Sequence, residues 1–229
     1  MKRQVAVIGL GRFGSSLAKT LFSMGHDVLA IDTDEKLIQN IAPHVTHAVQ
    51  ADATDETVLK ELGVPSVNVA IVSMGSAIQS SVLCTILLKK VGVRYVIARA
   101  DDELHGTILE KIGADKVIYP ERETGVRVAH NLTLTDVLDY IPVTPGGYGV
   151  AKLAIPPYFV GRSLSALGLG QDGKWGVAVL LIQRAKQVIV TPTRNEFVQA
   201  DDVLIVAGTD DQLEKMLTDA KKQQEGWKR

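Results

Sequence analysis

The segment QVAVIGLGRFGSSLAKTLFSM at residues 4–24 constrains the fold more than any other part of the chain. Its apolar, β-branched opening reads as a strand. Gly9, Gly11 and Gly14 follow in GxGxxG spacing, and a helical pattern begins at once. That spacing alone is weak, because glycines also mark ordinary turns. With a strand before it and a helix after it, the spacing acquires a mechanism. The glycines permit a tight turn and close backbone approach, while the helix N-terminus presents free N–H groups and the positive end of its dipole to phosphate. Asp32 lies about 20 residues further on, at the end of the next strand, placed to accept hydrogen bonds from ribose hydroxyls. The bland alternative is a Rossmann unit whose glycines only turn the chain.

The rest of the first 139 residues repeats this alternation of β-branched runs and longer helical patterns, as repeated βαβ units do. Strands are predicted at 4–9, 27–32, 47–51, 67–73, 95–100 and 116–119. Helices are predicted at 14–24, 34–41, 55–62, 80–91, 103–112 and 124–132, with Asp34 and Asp55 as N-caps. Runs such as VAIV at 69–72 are apolar at every position, as a strand covered by helices on both faces requires. The stretch IPVTPGGYG at 141–149 then concentrates proline and glycine and breaks the pattern. Beyond it, strands are predicted at 150–155, 177–183, 187–190 and 202–206, a short helix at 163–169 and a last helix at 209–222. The predicted class is α/β: a Rossmann-type doubly wound parallel sheet over 1–134, a linker over 135–149 and a small α+β domain over 150–222.

Composition excludes several functions. The formal charge is -1 and the pI about 6.5, so there is no basic field for nucleic acid phosphates or anionic lipid. No apolar run approaches the roughly 18 to 20 residues of a membrane-spanning helix. The opening MKRQVAVIG has too short an apolar stretch for a signal segment and reads as the first strand. The one cysteine, Cys84, excludes an internal disulfide, fits a reducing cytoplasm and reads as a small buried hydrophobe.

Further candidate residues stand at predicted strand ends, where open α/β sheets bind ligands. Arg12 and Phe13 sit inside the glycine loop. The Arg12 guanidinium offers a planar fork to a terminal phosphate, which ADP or ATP presents more fully than a dinucleotide, or else it turns to solvent or a neighbouring subunit. Asp52, Ala53 and Thr54 follow the third strand, and Ser73 and Gly75 the fourth; they read as adenine and ribose contacts, with Asp52 alternatively satisfying loop N–H groups. Arg99 ends the fifth strand, either to reach phosphate or to form an ion pair. Glu121 lies just past the sixth, facing a cation, a dimer interface or solvent.

The motifs AVIGLGRFG at 6–14, THAVQADATDE at 46–56, LEKIGAD at 109–115 and YPERETG at 119–125 together resemble the RCK (KTN) regulatory subunits of bacterial potassium uptake systems, of the KtrA, KtrC and TrkA type. The C-terminal run ADDVLIVAG at 200–208 is similar to the TrkA-C domain of the same family. This resemblance implies a cytoplasmic octameric ring built from dimers, docked on the inner face of a KtrB- or TrkH-type membrane transporter. It implies ATP or ADP in the crevice, NAD(H) in TrkA-type members, and cyclic di-AMP on the paired C-terminal domains of some relatives. Residue by residue, Gly9, Gly11 and Gly14 would hold phosphates, Arg12 the terminal phosphate and Asp32 the ribose. Glu121 would stand near a divalent cation at the dimer interface. GGYG at 146–149 and PPYF at 156–159 depart from the family pattern.

An NAD-dependent dehydrogenase shares the glycine fingerprint and Asp32. The residues after the Rossmann unit, however, offer no cluster of His, Lys, Tyr or Cys for acid–base work. His26, His44, His47, His105 and His130 all fall in the first part of the chain, and His44 with His47 lacks a third metal ligand. No Walker motif is present. A soluble binding protein with no transporter partner is the remaining class.

Overall fold

The computed structural model describes residues 2–133, 136–144, 147–170 and 173–227. By its internal contacts the chain divides into two compact units, Met1–Glu121 and Arg122–Arg229.

The first unit alternates strands and helices: β1 Gln4–Ile8, α1 Arg12–Ser23, β2 Asp27–Asp32, α2 Glu35–Ile41, β3 His47–Gln50, α3 Glu56–Glu61, β4 Val69–Val72, α4 Ile78–Lys90, β5 Val96–Arg99, α5 Glu103–Lys111 and β6 Lys116–Ile118. All six strands run parallel in the order β3-β2-β1-β4-β5-β6. The order reverses between β1 and β4, which opens a crevice at the carboxyl ends of those strands. Successive β1 residues bury on opposite faces: Val5 and Val7 join one core with Val28, Ala30 and Ile71, while Ala6 and Ile8 join the other with Ile31, Val72 and Val96. Double coverage therefore accounts for the unbroken apolar runs. Asp34 and Asp55 cap α2 and α3 by accepting from the N–H of Lys36 and Thr57, each at 2.8 Å. Cys84 is fully buried, and burial with the charge of Asp52 pushes its thiol up to about 12.

Helix α6, Pro120–Thr133, carries the chain out of this unit. It starts four residues before the predicted 124, because Pro120 suits a first helical turn, where its missing N–H is not needed.

The second unit is a five-stranded antiparallel sheet in the order β10-β9-β11-β8-β7, from β7 Val137–Pro142, β8 Tyr148–Ala154, β9 Ala178–Arg184, β10 Gln187–Val190 and β11 Asp202–Thr209. Helix α7, Asp210–Trp227, buries Leu213, Met216, Leu217 and Ala220 in the same core. Two features differ from the sequence reading. Residues 135–149, read as a linker, contain β7, which pairs with β8 and buries Val137 and Tyr140. Its partner strand leaves room for the aromatic ring: a Cβ on Gly149 would lie 2.2 Å from Tyr140. Pro145 and Gly146 of the glycine-rich stretch lie outside the described residues. Residues 163–169, read as a helix, are a run of turns. Gly161 and Gly168 take φ of 75° and 68°, and Ser163 bridges to Phe197, while Leu164, Leu167 and Leu169 bury as their spacing suggested. Arg184 ties the end of β9 to the start of β11, donating from Nε and an Nη to Asp202 at 2.9 Å each and from the other Nη to Glu196 at 3.1 Å.

Candidate nucleotide-binding site

The three motif glycines meet different demands. Gly9 has φ +89°, a conformation that favours glycine, and its N–H donates to the Ile31 carbonyl at 2.9 Å. A Cβ on Gly9 would meet Met74 Cγ at 2.8 Å. A Cβ on Gly14 would lie 1.9 Å from the Gly9 carbonyl oxygen and 2.4 Å from Ser73 Oγ, so α1 can approach β1 only with glycine there. Gly11 is unlike both: it caps α1 at φ −58°, and a Cβ there would have nothing within 4 Å. The chain itself places no demand for glycine at Gly11. Open space lies in front of it, a cradle at the N-terminus of α1.

The electrostatics of the cradle favour an anion. Helix α1 has no side-chain cap and no acidic residue in its first turn, so its leading N–H groups face outward unbalanced. Arg12 is the first residue of α1, exposed, and it forms no ion pair with any described residue. Phe13 contributes its backbone to this turn; its side chain lines an apolar groove of about 550 Å³ with Leu17, Leu21, Ile71 and Ile97 on the sheet face.

Asp32 ends β2 and reaches back under the loop. Its Oδ2 accepts from the Leu10 N–H at 2.6 Å and its Oδ1 from the Asp34 N–H at 2.9 Å. The carboxylate thus fixes the glycine loop, with lone pairs left over for ribose hydroxyls. Ser15, which sequence reasoning passed over, adds a hydroxyl donated to the Leu10 carbonyl; a serine inside a helix carries no signal of such a tie. Ser73, read as a ligand contact, is 5% exposed and donates to the carbonyls of Ile8 and Gly9. It braces the loop from beneath.

Beside β2, the Ala51 N–H donates to the Asp32 carbonyl at 2.9 Å and draws the end of β3 alongside. There Asp52 accepts from the Thr54 hydroxyl at 2.7 Å and the Thr54 N–H at 2.9 Å, which hold its exposed carboxyl below the usual range. Ala53 is buried between them. On the other flank, the Arg99 guanidinium lies flat against Gly75, whose Cβ would come within 3.0 Å of Arg99 Cζ. Arg99 donates to Glu121 at 2.7 Å, and its buried Nε has no partner.

The predicted residues therefore fall in three adjoining groups along one rim: the glycine loop with Asp32, the Asp52 turn, and the Gly75, Arg99 and Glu121 set. The donors for a cation are incomplete. Among the described residues no group of three or more His, Cys, Asp or Glu side chains is arranged to hold a metal, and the Glu121 carboxylate is already engaged by Arg99. A divalent ion at Glu121 thus has no complete donor set among the described residues of one chain. The C-terminal unit has a cavity of about 30 Å³ between Tyr158, Trp175 and Met216, room for water and far too small for a cyclic dinucleotide. No helix among the described residues is long and apolar enough to cross a membrane.

Residues 5–120 match the TrkA-N domain and residues 150–219 the TrkA-C domain. The chain belongs to the TrkA-N and TrkA-C domain family. Its TrkA-N part is the Rossmann unit, and its TrkA-C part lies within the antiparallel sheet unit. Over the whole it is 40% identical to the Ktr system potassium uptake protein C of Bacillus subtilis, across 91% of this chain and 93% of that protein. It is 37% identical to the Ktr system potassium uptake protein A of the same organism, across 90% and 91% respectively. Among solved structures, the RCK domain of GsuK shares the fold at a TM-score of 0.65 and 20% identity, over 95% of this chain and 48% of that one.

Proposed function

We propose that this TrkA-N and TrkA-C protein is a nucleotide-sensing regulatory subunit that gates a separate membrane potassium transporter, with ATP and ADP as the competing ligands. The observation that carries the ligand class is the Gly11 cradle: open space in front of an uncapped helix N-terminus, with Arg12, which forms no ion pair with any described residue, beside it and Asp32 behind it. The transport role is supported by 40% identity to a Ktr system potassium uptake protein along nearly the full length. In this reading the protein sits at the cytoplasmic face of the membrane as an octameric ring of dimers, held there by a KtrB- or TrkH-type partner.

A ligand moves such a gate only as far as its affinity differs between the two conformations of the ring. Backbone N–H groups at the cradle bind the phosphates shared by ADP and ATP. The guanidinium of Arg12, from the same or a neighbouring copy, meets the terminal phosphate, and one such charge-assisted contact contributes about 1.5–3 kcal/mol. Repeated around a ring, that difference becomes a switch.

The protein acts as a sensor and has no reaction of its own in this reading. His105, in the first turn of α5, is 1% exposed, accepts from the Asp101 N–H and is held below its usual pKa by burial. NAD(H) is the alternative occupant of the same crevice, and cyclic di-AMP would require two copies of the C-terminal unit. Calorimetric titration of the purified protein with ATP, ADP, NADH and cyclic di-AMP tests the assignment. Micromolar ATP and ADP binding without hydride transfer is the expected result. Tight NADH binding with turnover of a small carbonyl compound would replace it with a dehydrogenase.

A further inference from the structure

Arg99 is the rim residue that is bonded to the helix leaving the unit, through Glu121 in the first turn of α6. Its side chain is 17% exposed, whereas its partner Glu121 is 67% exposed. The guanidinium is held from two sides. Gly75, in the loop after β4, lies so close that an added Cβ would come within 3.0 Å of Cζ, 3.1 Å of Nε and 3.2 Å of one Nη. On the far side the other Nη donates to Glu121 at 2.7 Å, and Asp101 stands 4.0 Å away. Nε is buried without an acceptor, so the guanidinium is positioned by packing and by Glu121 and not by a full set of hydrogen bonds.

The loop that Arg99 leans on belongs to the glycine cradle. Ser73 is bonded to the Gly9 carbonyl, and Met74 fills the space beside Gly9 so closely that a Cβ there would meet its Cγ at 2.8 Å. Glu121 is the second residue of α6, the helix that leaves the Rossmann unit. Contacts therefore run without a gap from Gly9 through Ser73 and Met74 to Gly75, then Arg99, then Glu121 and the first turn of α6.

We propose that Arg99 is a positioning residue that passes occupancy of the crevice to α6: a ligand that shifts the 73–75 loop moves the guanidinium, and the guanidinium sets where Glu121 and the start of α6 are held. The exposed half of the pair makes the link easy to re-set, since an ion pair with one solvated partner contributes little static stability. Glycine at Gly75 is what lets loop and guanidinium touch, so the device is built from a residue with no side chain, a half-buried cation and an exposed acid. This inference rests on the nucleotide reading of the crevice.

Hydrogen exchange of the full chain, read at the amides of residues 122–127 with and without saturating ADP or ATP, tests it. In the unaltered protein, nucleotide is expected to change exchange there by about threefold or more. Arg99→Gln, Glu121→Gln and Gly75→Ala, the last displacing the guanidinium while keeping its charge, are each expected to abolish that change at nucleotide concentrations raised until calorimetry shows saturation. A full response at α6 in saturated Arg99→Gln or Glu121→Gln overturns the proposal and leaves the nucleotide reading intact. Nucleotide binding to the unaltered protein with no response at α6 also overturns it. Absence of nucleotide binding to the unaltered protein removes both.

Discussion

Gly11 and Gly14 are three residues apart in one motif, yet alanine at each should fail in opposite ways. At Gly14 a methyl group would lie 1.9 Å from the Gly9 carbonyl oxygen, a backbone atom that moves only if β1 and α1 separate. Overpacking of that kind costs about 1–3 kcal/mol or more. At Gly11 the methyl group meets nothing within 4 Å and the backbone sits at φ −58°, open to any residue. Alanine is a poorer helix cap than glycine by roughly half a kcal/mol, and its smaller unfolded-state entropy returns a similar amount, so stability should stay within about 0.5 kcal/mol. The affinity for ADP should behave in reverse. A methyl group in the cradle displaces phosphate from one or two charge-assisted N–H contacts of about 1.5–3 kcal/mol each, which corresponds to at least a tenfold loss of affinity. Chemical denaturation and calorimetric titration of the two variants separate these outcomes. If Gly11→Ala binds ADP as the unaltered protein does, the space in front of Gly11 is not where phosphates sit.

Three further outcomes are expected. Arg12→Ala should weaken ATP more than ADP in calorimetry, because only the terminal phosphate loses a partner; equal losses would remove that role. His130 stacks on Tyr140 at 4.2 Å and bonds the Val126 carbonyl at 2.8 Å and Asp210 at 3.2 Å. The Val126 carbonyl first and Asp210 next raise its pKa above the ordinary value of 6.5, so its stabilisation is fully present below that pH and is lost as pH rises through the higher folded value. Denaturation of the C-terminal unit should accordingly show it more stable at pH 6 than at pH 8, and His130→Asn should shrink that difference. Arg184→Leu should destabilise the same unit by about 3–5 kcal/mol, because Asp202 has no exposed side-chain surface and is left as an unpaired buried charge; a loss under 1 kcal/mol would contradict the burial.

What the sequence disclosed of this architecture follows from what a local pattern can encode. The parallel sheet was legible because its central strands are unbroken apolar runs, and the glycine loop because its spacing falls between a strand and a helix, although the contacts that demand Gly9 and Gly14 include Met74 and Ser73, far along the chain. Asp34 and Asp55 announced themselves as caps because capping is settled within two residues. Strand β7 was hidden: VLDYIP is flanked by Asp136 at φ 67° and ends in Pro142, and only its pairing with β8 over the small Gly149 makes it a strand. The 163–169 segment carried helical apolar spacing, but glycines in left-handed geometry on either side stop a helix from forming. In the site, sequence marked residue types and not directions. Ser73 has the chemistry of a ligand contact and is spent on loop carbonyls, while Arg99 is turned onto Gly75 by a contact between neighbouring strand ends that no spacing rule encodes.

Gating of potassium movement by nucleotide is the claim most directly open to measurement. The protein would be reconstituted with a KtrB- or TrkH-type membrane subunit in potassium-loaded vesicles, and flux followed as ADP is exchanged for ATP. Flux should change with the exchange, and Arg12→Ala should blunt the change without preventing assembly. Identical flux with ATP, ADP and no nucleotide would contradict it.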